Sequence, residues 1–154
     1  MNDVSKDEDA VKNETTPAPR VAGVIVTHGR LANELLAAAE MIVGTLRHVT
    51  AVSIGWHDDV NAAHDEIERA IARVSEGVGV LLLTDMFGGT PTNIAAMFLI
   101  DSNTEVVTGV NLPMVIRFAN LEAANSLADV AHLVREQGRN GIYLAGELLA
   151  PKKN

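Results

Sequence analysis

One histidine and one aspartate follow separate apolar runs of this sequence, and their side chains suit nucleophilic chemistry if the fold brings them together. His28 comes after a β-branched run, and Asp85 comes after a leucine-rich run. A carboxylate that accepts a hydrogen bond from one ring nitrogen fixes the histidine tautomer and leaves the other nitrogen nucleophilic. A helix-start histidine and a capping aspartate are the structural alternatives, and each residue taken alone fits either interpretation.

The segment after Asp85 has the composition of an anion-binding loop. Gly88 and Gly89 permit backbone conformations closed to other residues and let a ligand approach the main chain. Thr90 is predicted to be the N-cap of a helix and Pro91 its first residue, so free N–H groups and the positive end of the helix dipole should point into the loop. A tight turn with an ordinary helix cap explains the same residues, so this loop alone leaves both interpretations open.

Alternating strand and helix patterns predict the elements that must position these residues. Apolar runs at 21–27, 49–54, 78–84 and 105–110 predict four strands, and a short run at 142–146 predicts a fifth. Apolar residues recur at helical spacing between the runs. This alternation predicts an α/β fold: a flavodoxin-like three-layer sandwich with a mostly parallel sheet in the strand order 2-1-3-4.

The predicted sheet brings the two candidate groups to one place. In such sheets ligands bind at the carboxyl ends of the strands where the strand order reverses, here between the first and third strands. The loop after the first strand carries His28, and the loop after the third carries Asp85, Gly88, Gly89 and Thr90. A nucleophilic nitrogen, an orienting acid and a phosphate-sized cradle together predict transient phosphorylation of His28.

Charge and composition exclude several classes of partner and site. The net charge of -8 argues against nucleic acid and anionic membranes as partners, and the absence of cysteine excludes disulfides and thiol nucleophiles. No apolar run reaches the roughly 20 residues needed to cross a bilayer, so we expect a cytoplasmic protein without membrane insertion. Residues 1–20 predict a disordered acidic tail, and residues 21–150 predict one domain.

Motifs of common nucleotide and flavin sites are absent. The sequence has no G-x-x-x-x-G-K-[ST] and no G-x-G-x-x-G after the first strand. The segment THGR carries neither the acidic residues of a receiver domain nor the Ser/Thr-rich phosphate loop of a flavodoxin. We therefore predict no cofactor and no metal ion. The remaining histidines are predicted to lie on the surface: His48, His57, His64 and His132.

Three separated segments resemble the enzyme IIA component of the mannose-family sugar phosphotransferase system. They are VIVTHGRLANELLAAAEMIVG, LLLTDMFGGTPTNIA and VTGVNLPMV, and the resemblance extends from about Val21 to Leu148. Two positions depart from the family pattern but keep its character. Phe87 stands where the family often has tryptophan, and Thr90 stands where it often has serine.

The resemblance implies a phosphoryl carrier. His28 would receive a phosphoryl group from phospho-HPr and pass it to a IIB component, with Asp85 as the orienting carboxylate. The segment Gly88-Gly89-Thr90 would be the phosphate cradle. The family is typically a homodimer in which the last strand pairs with the partner's sheet, which would suit the short run at 142–146. No IIB domain is expected after Leu148, so the acceptor would be a separate chain.

Two alternative functions stay open at the level of sequence. The first is a regulatory phosphoprotein of the same system that takes no part in transport, with the phosphorylation state of His28 setting its affinity for a partner. The second is a phosphoryl donor subunit of dihydroxyacetone kinase, which shares the fold and the early histidine. The segments GGTPTN and GVNLPM favour the mannose type. The sequence does not indicate which sugar the system would transport.

Overall fold

Four strands form a single parallel sheet at the centre of the computed structural model, which describes residues 15–101 and 103–152. They are β1 (Ala22–His28), β2 (Val49–Ile54), β3 (Val80–Thr84) and β4 (Thr104–Thr108). The strand order is β2-β1-β3-β4, and all three neighbouring pairs are parallel. The predicted α/β class and strand order are therefore confirmed.

Helices cover both faces of the sheet, which is why the central strands are apolar without alternation. The helices are α1 (Leu31–Val43), α2 (Val60–Val74), α3 (Thr90–Ala96), α4 (Leu112–Ala119), α5 (Leu127–Asn140) and α6 (Ala145–Leu149), with a 3-10 turn at Met97–Ile100. Ile25 of β1 packs in the layer with α1, α4 and α5, whereas Val24 and Val26 pack in the layer with α2 and α3. In the described part of the chain, no helix has the length and apolar character needed to cross a bilayer.

The predicted short strand at 142–146 does not form within the described chain, and its exchange between two copies stays a prediction. Residues 142–144 have no regular structure, and α6 follows them. In the described chain this segment pairs with neither edge strand, β2 nor β4, and the Leu144 carbonyl instead accepts local hydrogen bonds from the Glu147 and Leu148 N–H groups. Its large apolar side chains are consequently exposed: Ile142, Tyr143, Leu144, Leu148 and Leu149.

Helix α5 begins at a side-chain cap and contains a buried glycine near its end. Ser126 caps this helix by accepting a hydrogen bond from the Asp129 N–H at 3.1 Å. Gly138 is buried inside the helix, two residues before its end at Asn140. A Cβ on Gly138 would lie 2.6 Å from the Met114 side chain, so its bare backbone permits the close packing of α4 against α5.

The predicted tail lies largely outside the described residues. Of residues 1–20, the structure describes only 15–20, which have no regular secondary structure. The Arg20 N–H donates a hydrogen bond to Glu76 at 2.8 Å and so fixes the chain before β1. Disorder of the rest of the tail stays a prediction.

Candidate functional site

The neighbouring strands β1 and β3 end at the same edge of the sheet and bring His28 next to Asp85. His28 is the last residue of β1, not a loop residue as predicted, and Asp85 directly follows β3. The ring Nδ1 of His28 lies 2.8 Å from Asp85 Oδ2, and the His28 backbone N–H donates to the same oxygen at 3.0 Å. One carboxylate oxygen therefore fixes both the ring and the main chain of His28.

The charge state of Asp85 determines the tautomer of His28. Burial is the largest single influence and raises the pKa of Asp85, but the hydrogen bonds that its carboxylate accepts, above all those from the His28 side chain and backbone, outweigh it. The pKa of Asp85 is therefore lowered, and the carboxylate is ionised at neutral pH. An ionised carboxylate only accepts hydrogen bonds, so Nδ1 carries the hydrogen and Nε2 of the neutral ring keeps its lone pair.

The free edge of the His28 ring lies against the backbone of Gly89. A Cβ on Gly89 would lie 3.1 Å from Cε1 and 3.3 Å from Nε2 of the ring. Gly88 and Gly89 both have positive φ, 83° and 85°. Nε2 is therefore close to the loop, and the His28 side chain as a whole is 44% exposed and so accessible to an approaching molecule.

Helix α3 begins one residue earlier than predicted. Gly89 is its N-cap, and Thr90 is its first residue and makes no side-chain capping bond, so the predicted N-cap at Thr90 is wrong. The Asn93 N–H already donates to the Gly89 carbonyl at 3.0 Å, which completes the first turn. Thr90 is exposed, so its hydroxyl is not consumed by the helix start.

Two buried threonines next to the site escaped the sequence analysis. Thr27 accepts a hydrogen bond from the Ala32 N–H at 2.7 Å, which links the end of β1 to the first turn of α1. Thr92 lies in the first turn of α3 and is 7% exposed. A threonine in the apolar run at 21–27 was the available signal for Thr27, whereas the polar segment around Thr92 gave no comparable signal.

The other histidines lie apart from this site. His57 and His132 are exposed as predicted, but His48 and His64 are partly buried. His48 stacks on Phe118 with ring centroids 5.4 Å apart, and His64 stacks on Phe98 at 4.6 Å. Burial and the charge of Arg20 lower the pKa of His48, and Glu76 only partly opposes them.

One group of side chains in the described residues has ligand atoms close enough for a metal ion. It consists of His64, Asp65 and Glu68 on α2, with ligand atoms within 4.8 Å of one another. Asp65 and Glu68 are exposed, as such acidic groups commonly are without a metal. The group shares no residue with the His28–Asp85 pair.

Comparison with known proteins places this arrangement in a family. The family model described as "PTS system fructose IIA component" matches residues 22–135, which is most of the chain. The chain belongs to this family. It is thus a IIA component of the mannose-type phosphotransferase system, as the three sequence segments predict.

Individual relatives agree with this assignment. The mannose-specific EIIAB component of Escherichia coli (strain K12) is 36% identical over 129 residues, covering 79% of this chain and 38% of that protein. The chain therefore spans well under half the length of these EIIAB relatives. The fructose-specific EIIA component of Bacillus subtilis (strain 168) is 27% identical, with 86% of this chain and 92% of that protein covered.

Solved structures agree with the fold. The mannose/sorbose-specific IIA subunit from Enterococcus faecalis has a TM-score of 0.74 to this chain and is 28% identical. The match covers 88% of this chain and 99% of that chain.

Proposed function

We propose that this IIA protein is a phosphoryl carrier in which His28 accepts a phosphoryl group from phospho-HPr and passes it to a IIB component. The observation that carries the proposal is the contact of 2.8 Å between His28 Nδ1 and Asp85 Oδ2. It leaves Nε2 as the basic nitrogen on the open side of the ring. A carrier needs this arrangement because the same nitrogen must accept the phosphoryl group and release it.

In the proposed reaction, a bond from Nε2 of His28 to phosphorus forms while the nitrogen–phosphorus bond of the donor phosphohistidine breaks. The donor nitrogen keeps the electron pair of the broken bond, and no water is consumed. Asp85 then stabilises the positive charge of the phosphorylated ring. Such transfers depend on positioning and electrostatics far more than on covalent chemistry by the protein.

Gly88, Gly89 and Thr90 are the proposed phosphate cradle. Gly89 packs against the Nε2 side of the ring, so a phosphoryl group on Nε2 would lie next to this loop. Backbone N–H groups at the start of α3 and the exposed Thr90 hydroxyl are donors suited to phosphoryl oxygens.

Exposed apolar side chains flank His28 and suit docking of the protein partners. Trp56 lies on the loop after β2, and Met86 and Phe87 lie on the loop after β3. Their exposed fractions are 91%, 53% and 86%. Large apolar side chains at this exposure often mark interaction surfaces, and here they border the residue that both partners must reach.

We also propose that two copies of the chain pair through their C-terminal segments. A groove of about 500 Å³ runs beside the free edge of β4 and is lined by residues that include Val106, Val107 and Ala131. Residues 142–149 expose five large apolar side chains after α5. The segment of a second copy, added as a strand to β4, would cover both this groove and the unpaired edge.

Sedimentation of the full chain tests this pairing. We expect a dimer for the native sequence and a monomer for Tyr143→Asp, because a carboxylate would be placed in the covered groove. Glu147→Gln is the matched control in the same segment. A native chain that sediments as a monomer at micromolar concentration overturns the pairing and leaves the carrier role untouched.

Transfer from radiolabelled phospho-HPr tests the carrier role. We expect label on the native chain and none on His28→Gln, while His132→Gln, which alters an exposed histidine outside the site, is labelled at the native rate. Label that persists on His28→Gln refutes the assignment. The labelled protein is then incubated separately with a IIB component and with a dihydroxyacetone kinase, which distinguishes the alternatives. Transfer of the label to the IIB component supports the carrier role, and transfer to the kinase favours the donor subunit. Label that stays on the IIA chain in both incubations favours regulation.

A further inference from the structure

The described part of the chain buries three polar side chains almost completely, and all three are threonines near His28. They are Thr27 near the end of β1, Thr84 at the end of β3 and Thr92 in the first turn of α3. Burying a hydroxyl is unfavourable unless it is hydrogen-bonded, so each position requires a compensating contact. Thr27 has such a contact, because its hydroxyl oxygen accepts a hydrogen bond from the Ala32 N–H.

Thr84 and Thr92 form a hydrogen-bonded chain that spans the loop between them. The Thr92 Oγ1 lies 2.8 Å from the Thr84 Oγ1 and 2.5 Å from the Met86 carbonyl oxygen. A carbonyl only accepts and each hydroxyl has one hydrogen. Thr92 therefore donates to Met86, and Thr84 donates to Thr92. A valine at 92 would fill the same space but would leave the Met86 carbonyl without this donor.

We infer that Thr92, supported by Thr84, is a positioning residue for phosphoryl transfer at His28, because it fixes the loop that carries Asp85 and Gly89. The inference rests on the carrier function proposed above. The Thr92 side chain hydrogen-bonds to Thr84 and to the Met86 carbonyl, and it therefore acts on the site through the main chain of Met86.

The loop needs such a restraint because of its own composition. Gly88 and Gly89 are in the left-handed region and have no side chains to fix them. The Met86 N–H donates to Asp85 Oδ1 at 3.1 Å, so the residue held by Thr92 is also the one that orients the carboxylate. Displacement of Met86 would therefore shift Asp85 relative to the His28 ring.

Thr92→Val tests this role, with Thr92→Ser as the conservative variant that keeps the hydroxyl. We expect Thr92→Val to slow phosphorylation by phospho-HPr about tenfold or more, since small misplacements of reacting groups are costly. The pKa of Asp85, measured by carbon NMR, should rise towards its ordinary value because the hydrogen bonds from His28 weaken. Thr92→Ser should keep both properties native, as should Thr104→Val, a matched loss of a threonine hydroxyl at the opposite edge of the sheet.

A second variant covers the case in which Thr92→Val does not fold. Thr84→Val removes only the hydroxyl that donates to Thr92, so we expect a smaller decrease in phosphorylation rate and a smaller rise in the pKa of Asp85. Combining Thr84→Val with Thr92→Val should change neither property beyond the effect of Thr92→Val alone. Native rate and native Asp85 pKa in Thr92→Val, or in Thr84→Val if the former is unfolded, overturn the inference. Equal slowing by Thr92→Val and Thr92→Ser also overturns it, because that result assigns the effect to the methyl group.

The two readouts separate this inference from the carrier function. The pKa of Asp85 is measured without any partner protein, so it reports on the position of the loop even if phospho-HPr does not react with the chain. An unreactive native chain refutes the carrier function, whereas an Asp85 pKa that is insensitive to the Thr92 hydroxyl refutes the positioning role.

Discussion

The two ends of the parallel sheet each place a histidine next to a glycine backbone, yet the two histidines have different surroundings. At the carboxyl end, His28 is hydrogen-bonded to Asp85 and its ring packs on Gly89. At the amino end, the His48 carbonyl accepts from the Gly23 N–H, and the His48 ring stacks on Phe118.

The difference shows that neighbours, rather than residue type, determine what a histidine does. An ionised carboxylate fixes the tautomer of His28 and leaves one nitrogen exposed for chemistry. Partial burial and the nearby charge of Arg20 instead lower the pKa of His48 and favour its neutral form. We therefore expect changes at the carboxyl end to alter phosphoryl transfer and changes at the amino end to alter stability.

Replacing Asp85 with asparagine should produce the largest effect. An amide can donate to Nδ1 and so favour the tautomer with hydrogen on Nε2, which removes the nucleophilic lone pair. The same change in another Asp–His pair costs about 10⁴-fold in rate, and we expect a loss of at least about 10²-fold in labelling by phospho-HPr. Asp129→Asn, at an exposed helix start, should label at the native rate. Native kinetics in Asp85→Asn would remove Asp85 from the mechanism.

A matched pair of glycine substitutions at the carboxyl end should produce the next largest effect. Gly88→Ala and Gly89→Ala each place a side chain at positive φ, which costs about 1–2 kcal/mol of stability. Only the new Cβ at Gly89 meets His28, since nothing lies within 4 Å of the one at Gly88. Labelling should therefore be about tenfold slower in Gly89→Ala than in Gly88→Ala. Equal rates would mean that the contact with the ring is unimportant.

The corresponding glycine at the amino end should affect stability alone. A Cβ on Gly23 would lie 2.8 Å from Phe118 Cε1, so Gly23→Ala overpacks the ring on which His48 stacks. We expect a loss of about 1–3 kcal/mol in the free energy of unfolding, measured with urea, and a native labelling rate for the folded protein. Gly23→Ala combined with Phe118→Leu should lose less than the sum of the two single changes. Strict additivity would argue against the contact.

The smallest expected effect is the pH dependence that His48 contributes. Because its pKa is lowered on folding, its contribution to stability is complete above its unfolded pKa of about 6.5 and is lost as the pH falls through the folded value. When the pH falls from 7.5 to 5.5, the free energy of unfolding should decrease more for the native chain than for His48→Gln. The difference between the two decreases should stay below about 1.4 kcal/mol per pH unit, which is the limit for one proton. Identical pH profiles would contradict the lowered pKa.

Much of the site's placement follows from the sequence. Parallel strands must end at a common edge, so the pattern of apolar runs was sufficient to predict that His28 and Asp85 meet. The cap of α5 is a local feature, since the Asp129 N–H donates to Ser126 only three residues earlier. The start of α3 was misplaced by one residue, because a glycine N-cap at positive φ and a threonine N-cap give the same sequence pattern.

The sequence by itself determined the order of the elements, the layers and the edge at which the candidate site lies, because these depend on short-range preferences and on which residues must be buried. Only the tertiary structure decided which distant residues touch. Gly23 against Phe118, Gly138 against Met114 and Thr92 with Thr84 are contacts of this kind. They depend on how closely whole helices approach the sheet or one another, and that distance is set by the simultaneous packing of many side chains. The segment at 142–146 forms no strand within the described chain, and whether it becomes one depends on pairing with another edge, which the sequence alone does not supply.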